Sequence, residues 1–360
     1  MYIADFACVT ALGISAETTF AAIDAQVSGY QESHYKCENG QPATMALLDE
    51  GLMYALDIST EYTGGVSEQM IRCAKLAFFA LSDLTHRVTL PAPAPLIWLG
   101  DEQQNPENAA HPENLPQDFI ATVLNEFDAP IDAQNTFYIN QGRVSGIGAL
   151  KLAHQLLHEQ GHNYVILGSA SSTFDDNALD WLDKKQRLKN EAAKDAFVPG
   201  EASAFLVLAK TPQLTQAINP NMPAITCSLP GIARSPSHWF NTVPHTGEAL
   251  SQAIAQVLDT QPNPTTQIQS IISSLNGELF WMKEHGIAMM RAADQCQHAA
   301  LYHHAEYIGD VGAACGLLNI GHAMHLLKNK QHQNALVYAS ADGPWRAACL
   351  LNSVNGKKHG

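Results

Sequence analysis

Short apolar runs alternate with amphipathic stretches along most of the chain. Residues 2–12 are apolar and β-rich, Gly13 turns them, and 16–25 carries a helical period with Ser15 as its N-cap. Strand, turn and helix form the first predicted unit. A second helix is predicted over 67–84, where Ile71, Ala74, Leu76, Phe78 and Leu81 offer one broad apolar face. The prolines of 91–95 lead into a strand at 96–99. The stretch 101–116, rich in Asn, Glu, Gln and Pro, has no usable period and is predicted to be a surface loop. A helical pattern then covers 119–127 and a strand 136–139. The glycines of 142–148 turn the chain into a helix over 149–158, and a buried strand follows at 165–167.

A second half repeats this grammar: strand 271–274, helix 280–293, strand 301–307, a Gly-rich turn, helix 314–327, and strands 335–339 and 347–351. Segments 137–157 and 306–327 look like loose copies, each a strand, a small-residue turn and a long apolar helix. Alternating strands and helices with this duplication predict an α/β protein of two related halves, 1–221 and 222–360. The length of 360 residues suits two halves, since domains run to roughly 100–200 residues.

Composition narrows the function classes. With 46% hydrophobic and only 15% charged residues the chain can fill a large core. The formal charge of −15 opposes binding to phosphate backbones or anionic membranes. The one basic group, Lys184, Lys185, Arg187 and Lys189, is short and bracketed by acids, so neither a nucleic-acid nor a membrane partner is expected. Seven widely spaced cysteines, an odd number, argue against a disulfide framework or a zinc knuckle. Asp5 interrupts the N-terminal apolar stretch and no run approaches a membrane span. A soluble, cytoplasmic protein is expected.

Several local patterns invite chemistry. His158-Glu159-Gln160-Gly161-His162 fits H-E-x-x-H, but Gly161 stands where the helix should stop, so the two imidazoles would not share a helical turn. His322 and His325 are read as an exposed helical stripe without a third ligand. Ser145 follows a strand and opens a helix, the place of a hydrolase nucleophile, although Gly142-Arg143-Val144-Ser145-Gly146 is not G-x-S-x-G. Phosphate-loop and dinucleotide fingerprints are absent, and no metal or cofactor is expected.

Residues 197–208, FVPGEASAFLVL, resemble the F-V-x-G-E-G-A-G-x-L-V-L stretch of the β-ketoacyl-acyl-carrier-protein synthases, the thiolase-fold condensing enzymes. Val9-Thr10-Ala11-Leu12-Gly13 is similar to their opening V-T-G-L-G. Residues 165–170 resemble their V-x-x-A-G-G/A-x strand, and 309–316, GDVGAACG, their G-H-x-x-G-A-A-G. Together the segments span about 1–350. The resemblance implies a thiolase-like fold of two βα halves in αβαβα layers.

It also exposes what is missing. The family uses a Cys nucleophile at a helix N-terminus and two His that serve decarboxylation and the oxyanion. Their motifs align with Arg143 (Gln141 in a slipped alignment), Asn276 and Asp310. The C-terminal gate G-F-G-G-x-N corresponds to Ala341-Asp342-Gly343-Pro344-Trp345-Arg346, which has lost the flexible gate. Arg stays protonated and is no nucleophile, and Asp310 would repel an oxyanion; a buried Arg143 and Asp310 could instead pair.

The resemblance therefore implies a chain length factor, a non-catalytic ketosynthase homologue of type II polyketide or aryl polyene systems. Its partners would be an active β-ketoacyl synthase in a heterodimer and, indirectly, an acyl carrier protein. The family places the interface on the strand with Phe137, Tyr138 and Ile139. It places the end wall of the acyl tunnel on the preceding helix, here 117–127 with Phe119, Val123 and Leu124. Two other readings remain open: an acyltransferase or hydrolase using Ser145, and a homodimeric binding module.

Overall fold

The computed structural model describes residues 1–56, 67–102, 130–261, 263 and 265–354. Thirteen strands are found among them: β1 (Tyr2–Thr10), β2 (Gln31–Lys36), β3 (Pro42–Met45), β4 (Ala94–Gly100), β5 (Ile131–Asn140), β6 (Tyr164–Ser172), β7 (Glu201–Ala209), β8 (Ile225–Cys227), β9 (Gly231–Arg234), β10 (Ser270–Ser273), β11 (Ala300–His303), β12 (Asn334–Ser340) and β13 (Trp345–Ser353). β2 and β3 form a separate hairpin.

The others share one sheet; its main path, β5-β4-β6-β7-β1-β8-β13-β12-β10-β11, reads the same pattern from either end, and β9 pairs antiparallel with β13 off that path. In the first half β4 runs parallel to β5 and β6, while β6–β7 and β7–β1 are antiparallel. In the second, β10 runs parallel to β11 and β12, while β12–β13 and β13–β8 are antiparallel. The Tyr2–Thr226 pair joins β1 to β8. Among the described residues β5 and β11 end the main path, and β9 pairs only with β13.

Helices lie in three layers around these halves. Glu68–Arg87 buries Cys73, Leu76, Leu81 and Leu84 against Ala4, Leu96, Ile166 and Val207 on one outer face. Glu248–Leu258 buries Leu250, Ile254 and Val257 against Leu336, Tyr338 and Leu350 on the other. Between the halves, Leu150–His158 and Cys315–Lys328 pack Leu150, Leu156, Leu317 and Leu326 among Ile3, Leu167 and Val337. Cys315–Lys328 is buried on nearly every side, which explains why it is apolar almost all round, whereas Leu150–His158 leaves Lys151 and His158 exposed. The fold is therefore α/β in αβαβα layers, as the sequence predicts. No helix among the described residues is long and apolar enough to cross a membrane.

Several boundaries shift. The strand expected at 301–307 ends at His303; Tyr307 and Ile308 donate to the His304 carbonyl (2.8 and 3.0 Å) in a helical turn, Ala305–Ile308. Segment 306–327 thus copies the turn and helix of 137–157 but not its strand. The strand at 136–139 extends back to Ile131 and the helix at 67–84 on to Arg87. The predicted helix at 119–127, with Phe119, Val123 and Leu124, and most of the predicted loop at 101–116 lie outside the described residues.

Candidate active-site cluster

The two central helices begin alike. Gly142 (φ +57°) opens a 3-10 turn, Gly142–Val144, that runs into Ser145–Gly148; Gly312 (φ +52°) opens Gly312–Ala314, which runs into Cys315–Lys328. These left-handed openings suit glycine. The helix starts touch at Gly146 and Gly316: a Cβ on Gly146 would lie 2.6 Å from the Leu317 nitrogen, and one on Gly316 2.9 Å from the Arg143 oxygen. Contact this close brings residues of both halves into one space.

Arg143, Asn276 and Asp310 all converge there. Arg143 Nη1 donates to Asp310 Oδ2 at 2.5 Å, and its Nη2 to Asp342 Oδ1. Its Nε donates to the Ser340 carbonyl at 2.9 Å. Asn276 Nδ2 donates to Asp310 Oδ2 (2.9 Å) and Glu278 Oε2 (3.0 Å). Arg187 holds Glu278 in a two-pronged pair (2.6 and 2.7 Å) and reaches Asp342 at 2.6 Å. Trp281 Nε1 donates to Glu278 at 3.0 Å, and its ring lies 4.9 Å from the Arg143 guanidinium. Asp342 thus bridges two arginines, and the Arg–Asp pair expected from the sequence forms.

Electrostatics fix the protonation of this cluster. Burial opposes the charge of Arg143, but Asp310, Asp342 and Glu278 outweigh it and raise the guanidinium further. Burial would likewise raise Asp342, yet Arg187 and then Arg143 hold it below the usual carboxylate range. Neither guanidinium is a base or nucleophile.

Two further carboxyls differ, because burial dominates: Asp101 is pushed up to about 6 and Glu102 to about 7. Asp101 accepts from Ser171 Oγ (2.8 Å) and the Ala313 N–H (2.7 Å), tying β4 to the start of the second central helix. Glu102 accepts from the Gly343 N–H at 2.9 Å.

The loop corresponding to the family's gate is held tightly. Arg346, fully buried, donates to the Ala341 (3.0 Å) and Gly343 (2.8 Å) carbonyls and pairs with Glu284 at 2.6 Å. A cavity of about 100 Å³ lies beside the cluster.

The remaining candidates take other places. Ser145 is fully buried; its Oγ accepts from the Gln141 N–H (2.9 Å) and lies 3.3 and 3.4 Å from the Gly100 and Ile139 carbonyls. Among the described residues no imidazole hydrogen-bonds it, and its Oγ caps the turn that follows Gln141. Gln141 sits at the end of β5, half-buried, with its side chain toward Gly148. Cys315 matches Ser145 in position, and burial pushes its thiol up to about 12, far from a thiolate.

The helix bearing His158 ends at that residue, and Gly161 (φ +83°) turns the chain before His162. His322 overturns one expectation. It is 1% exposed, stacks on Phe20 and meets His304 at 2.8 Å, because the enclosed central helix has no exposed stripe here. Phe137, Tyr138 and Ile139 lie half-buried on edge strand β5, each packed against a core.

Arg187 was unreadable as a site residue. It sits in a short basic group with Lys184, Lys185 and Lys189 just after helix Asp176–Lys184, yet its side chain is buried. Asp101 and Glu102 carry no motif either, whereas Glu278 follows two residues after Asn276 in the aligned Asn276-Gly277-Glu278.

The chain has the fold of the thiolase-like ketosynthases. It is similar in structure to the ketosynthase–chain length factor complex ApeO–ApeC from Xenorhabdus doucetiae, at 14% identity over 98% of both chains with a TM-score of 0.75. It is similar to the ishigamide ketosynthase/chain length factor (17% identity, 98% and 99% of the chains, TM-score 0.69). A ketosynthase from module 6 of the Bacillus subtilis bacillaene synthase matches 99% of this chain with 72% of its own (13% identity, TM-score 0.74). No protein-family model matches the sequence, and no curated protein matches it.

Proposed function

We propose that this chain is a chain length factor, a non-catalytic ketosynthase homologue that pairs with an active β-ketoacyl synthase in type II polyketide or aryl polyene biosynthesis. The observation that carries this is the cluster itself. Where a condensing enzyme needs a thiolate and two imidazoles, Arg143, Asn276 and Asp310 hydrogen-bond to one another and leave no nucleophile. Structural likeness to ketosynthase–chain length factor pairs supports the assignment. The chain divides into two halves, 1–221 and 222–360, a reading that the matching strand order supports.

Edge strand β5 supplies the interface for the partner ketosynthase, pairing antiparallel with its counterpart. Phe119, Val123 and Leu124 wall the far end of the partner's acyl tunnel. The acyl carrier protein docks on the ketosynthase side, since carrier proteins are acidic and this chain carries −15. The test is reconstitution with acyl and malonyl carrier proteins. The chain alone should form no β-ketoacyl product and should restore a defined product length to its ketosynthase. Product from the chain alone would refute the proposal.

A further inference from the structure

A second buried polar contact lies apart from the Arg143 cluster. His304 Nε2 and His322 Nδ1 share a hydrogen bond of 2.8 Å, and both residues are buried. Phe20 of helix Ala16–Asp24 stacks on the His322 ring with centroids 5.4 Å apart, and Tyr302 of β11 meets that ring edge-on at 5.2 Å. Among the described residues His322 Nε2 has no hydrogen-bond partner. The pair holds the turn Ala305–Ile308, which His304 opens, against helix Cys315–Lys328. On its other side the turn is clipped to the chain after Ala16–Asp24: the Gly29 N–H donates to the Tyr307 carbonyl at 2.8 Å, and Tyr30 Oη to the Ala305 carbonyl. Two residues beyond the turn stands Asp310, the partner of Arg143.

The proton count of this pair is restrictive. Two neutral imidazoles bring two N–H groups, one in the bond between them and one on an outer nitrogen. A third proton places a positive charge beside the Phe20 ring, where burial disfavours it. A fourth sets two N–H groups face to face and breaks the bond. The surrounding groups offer no free anion. Asp24, on Ala16–Asp24, is taken by His325 at 2.9 Å, and Glu306, in the turn, by His303 at 2.8 Å. Tyr302 Oη meets His332 Nε2 at 3.2 Å, and Asn319, on Cys315–Lys328, is neutral. His303 opposes a charge on His304, and His325 and His332 oppose one on His322.

We propose that His304 and His322 form an acid-released latch: protonation of the pair parts the turn Ala305–Ile308 from helix Cys315–Lys328 and exposes the imidazoliums to the adjoining cavity of about 350 Å³, which both residues border. The released turn carries Asp310 with it, so acidity loosens the Arg143 cluster from a distance. Burial, the largest influence on both rings, holds His304 down at about 4 and His322 well below the ordinary imidazole value of 6.5. Neutral imidazoles therefore favour the closed latch above pH 6.5, and that contribution is lost as pH falls toward 4. The latch needs no ketosynthase partner, so it stands or falls separately from the chain-length reading.

The test is hydrogen–deuterium exchange of the full chain from pH 7.5 to about 5, with rates corrected for the intrinsic effect of pH. Peptides over 304–312 and 315–325 should lose protection at least about tenfold between pH 6.5 and 5, while the outer helix Glu68–Arg87 keeps its own. His322→Asn keeps a hydrogen-bonding atom at the Nδ1 position but cannot titrate, and should flatten the response. His304→Gln does the same at the Nε2 position and replaces the first variant if that fails to fold. His325→Asn, outside the pair, should leave the response in place. Protection independent of pH in these peptides, a loss shared equally by Glu68–Arg87, or an unchanged acid response in His322→Asn or His304→Gln would overturn the proposal. The first two outcomes are read on the unaltered chain and decide the matter even if neither variant folds.

Discussion

Arg143 Nη1 and Asp310 Oδ2 lie 2.5 Å apart, one at the start of the first central helix and the other just before the second. The contact ties together the chain segments that start the two central helices. Both side chains are buried, at 7% exposure, so the pair fixes this geometry more than it adds stability.

Breaking the pair from one side should be costly. Arg143→Met strands Asp310 and half of Asp342, and should lower unfolding free energy by about 3–5 kcal/mol. Arg143→Met with Asp310→Asn should recover a large part of that loss, through a coupling of roughly 0.5–3 kcal/mol. Denaturant melts of the single and double variants measure both values. Additive losses would show that the two residues act independently.

Stability should fall as pH rises toward neutrality through Glu102. Its folded pKa, about 7 because of burial, lies above the ordinary value of 4.5. The protonated form therefore favours the folded state below pH 4.5, and that contribution is lost as pH climbs through 7. Asp342, held low, works the other way and loses its contribution in acid. Glu102→Gln should raise stability at pH 8 by roughly 3 kcal/mol and flatten the slope between pH 4.5 and 7. Thermal melts across that range check the sign.

Gly146→Ala should destabilise by about 1–3 kcal/mol or more. The added methyl would sit 2.6 Å from the Leu317 nitrogen and 2.8 Å from the Gly316 carbonyl carbon, backbone atoms that cannot rotate away. Gly161→Ala, with open space around its Cβ, would be strained only by its φ of +83° and should cost less. An equal loss at the two glycines would show that helix contact is not the constraint.

Ser145→Ala should behave as the loss of a buried hydrogen bond, costing about 1 kcal/mol without altering any acyl-transfer rate. Labelling of the intact chain by a fluorophosphonate would contradict the capping geometry of its Oγ.

Partner binding through β5 can be tested with proline. N–H groups alternate in direction along a strand, so either Tyr138 or Ile139 points its N–H away from β4. Proline at the outward position should leave the fold intact by circular dichroism and separate the chain from its ketosynthase. Co-elution preserved with both replacements would remove β5 from the interface.

Much of the architecture is written locally. Ser15 caps its helix as predicted, and the apolar period of 67–84 announces the outer helix. The Gly-rich turns at 142 and 312 mark the two helix starts, because backbone conformation and burial period are properties of neighbouring residues. The strand–helix alternation likewise predicts an α/β fold, while the layers are what the family resemblance implies. Gln31–Lys36 had no such signal, its residues being mostly polar and largely exposed.

The site is different in kind. Sequence motifs mark Arg143, Asn276 and Asp310 one at a time, 133 and 34 residues apart, but only the packing of Gly146 on Gly316 brings them within hydrogen-bond reach. The sequence shows Arg187 as part of a short basic group and His322 as part of an exposed helical stripe; burial made one a partner of Glu278 and Asp342 and the other a partner of His304. Whether a charged side chain meets water or a counter-ion depends on residues far away in the chain. The sequence by itself determined the alternation of strands and helices that makes an α/β fold. The tertiary structure alone decided which charges face one another, because that depends on distances between elements that no local pattern encodes.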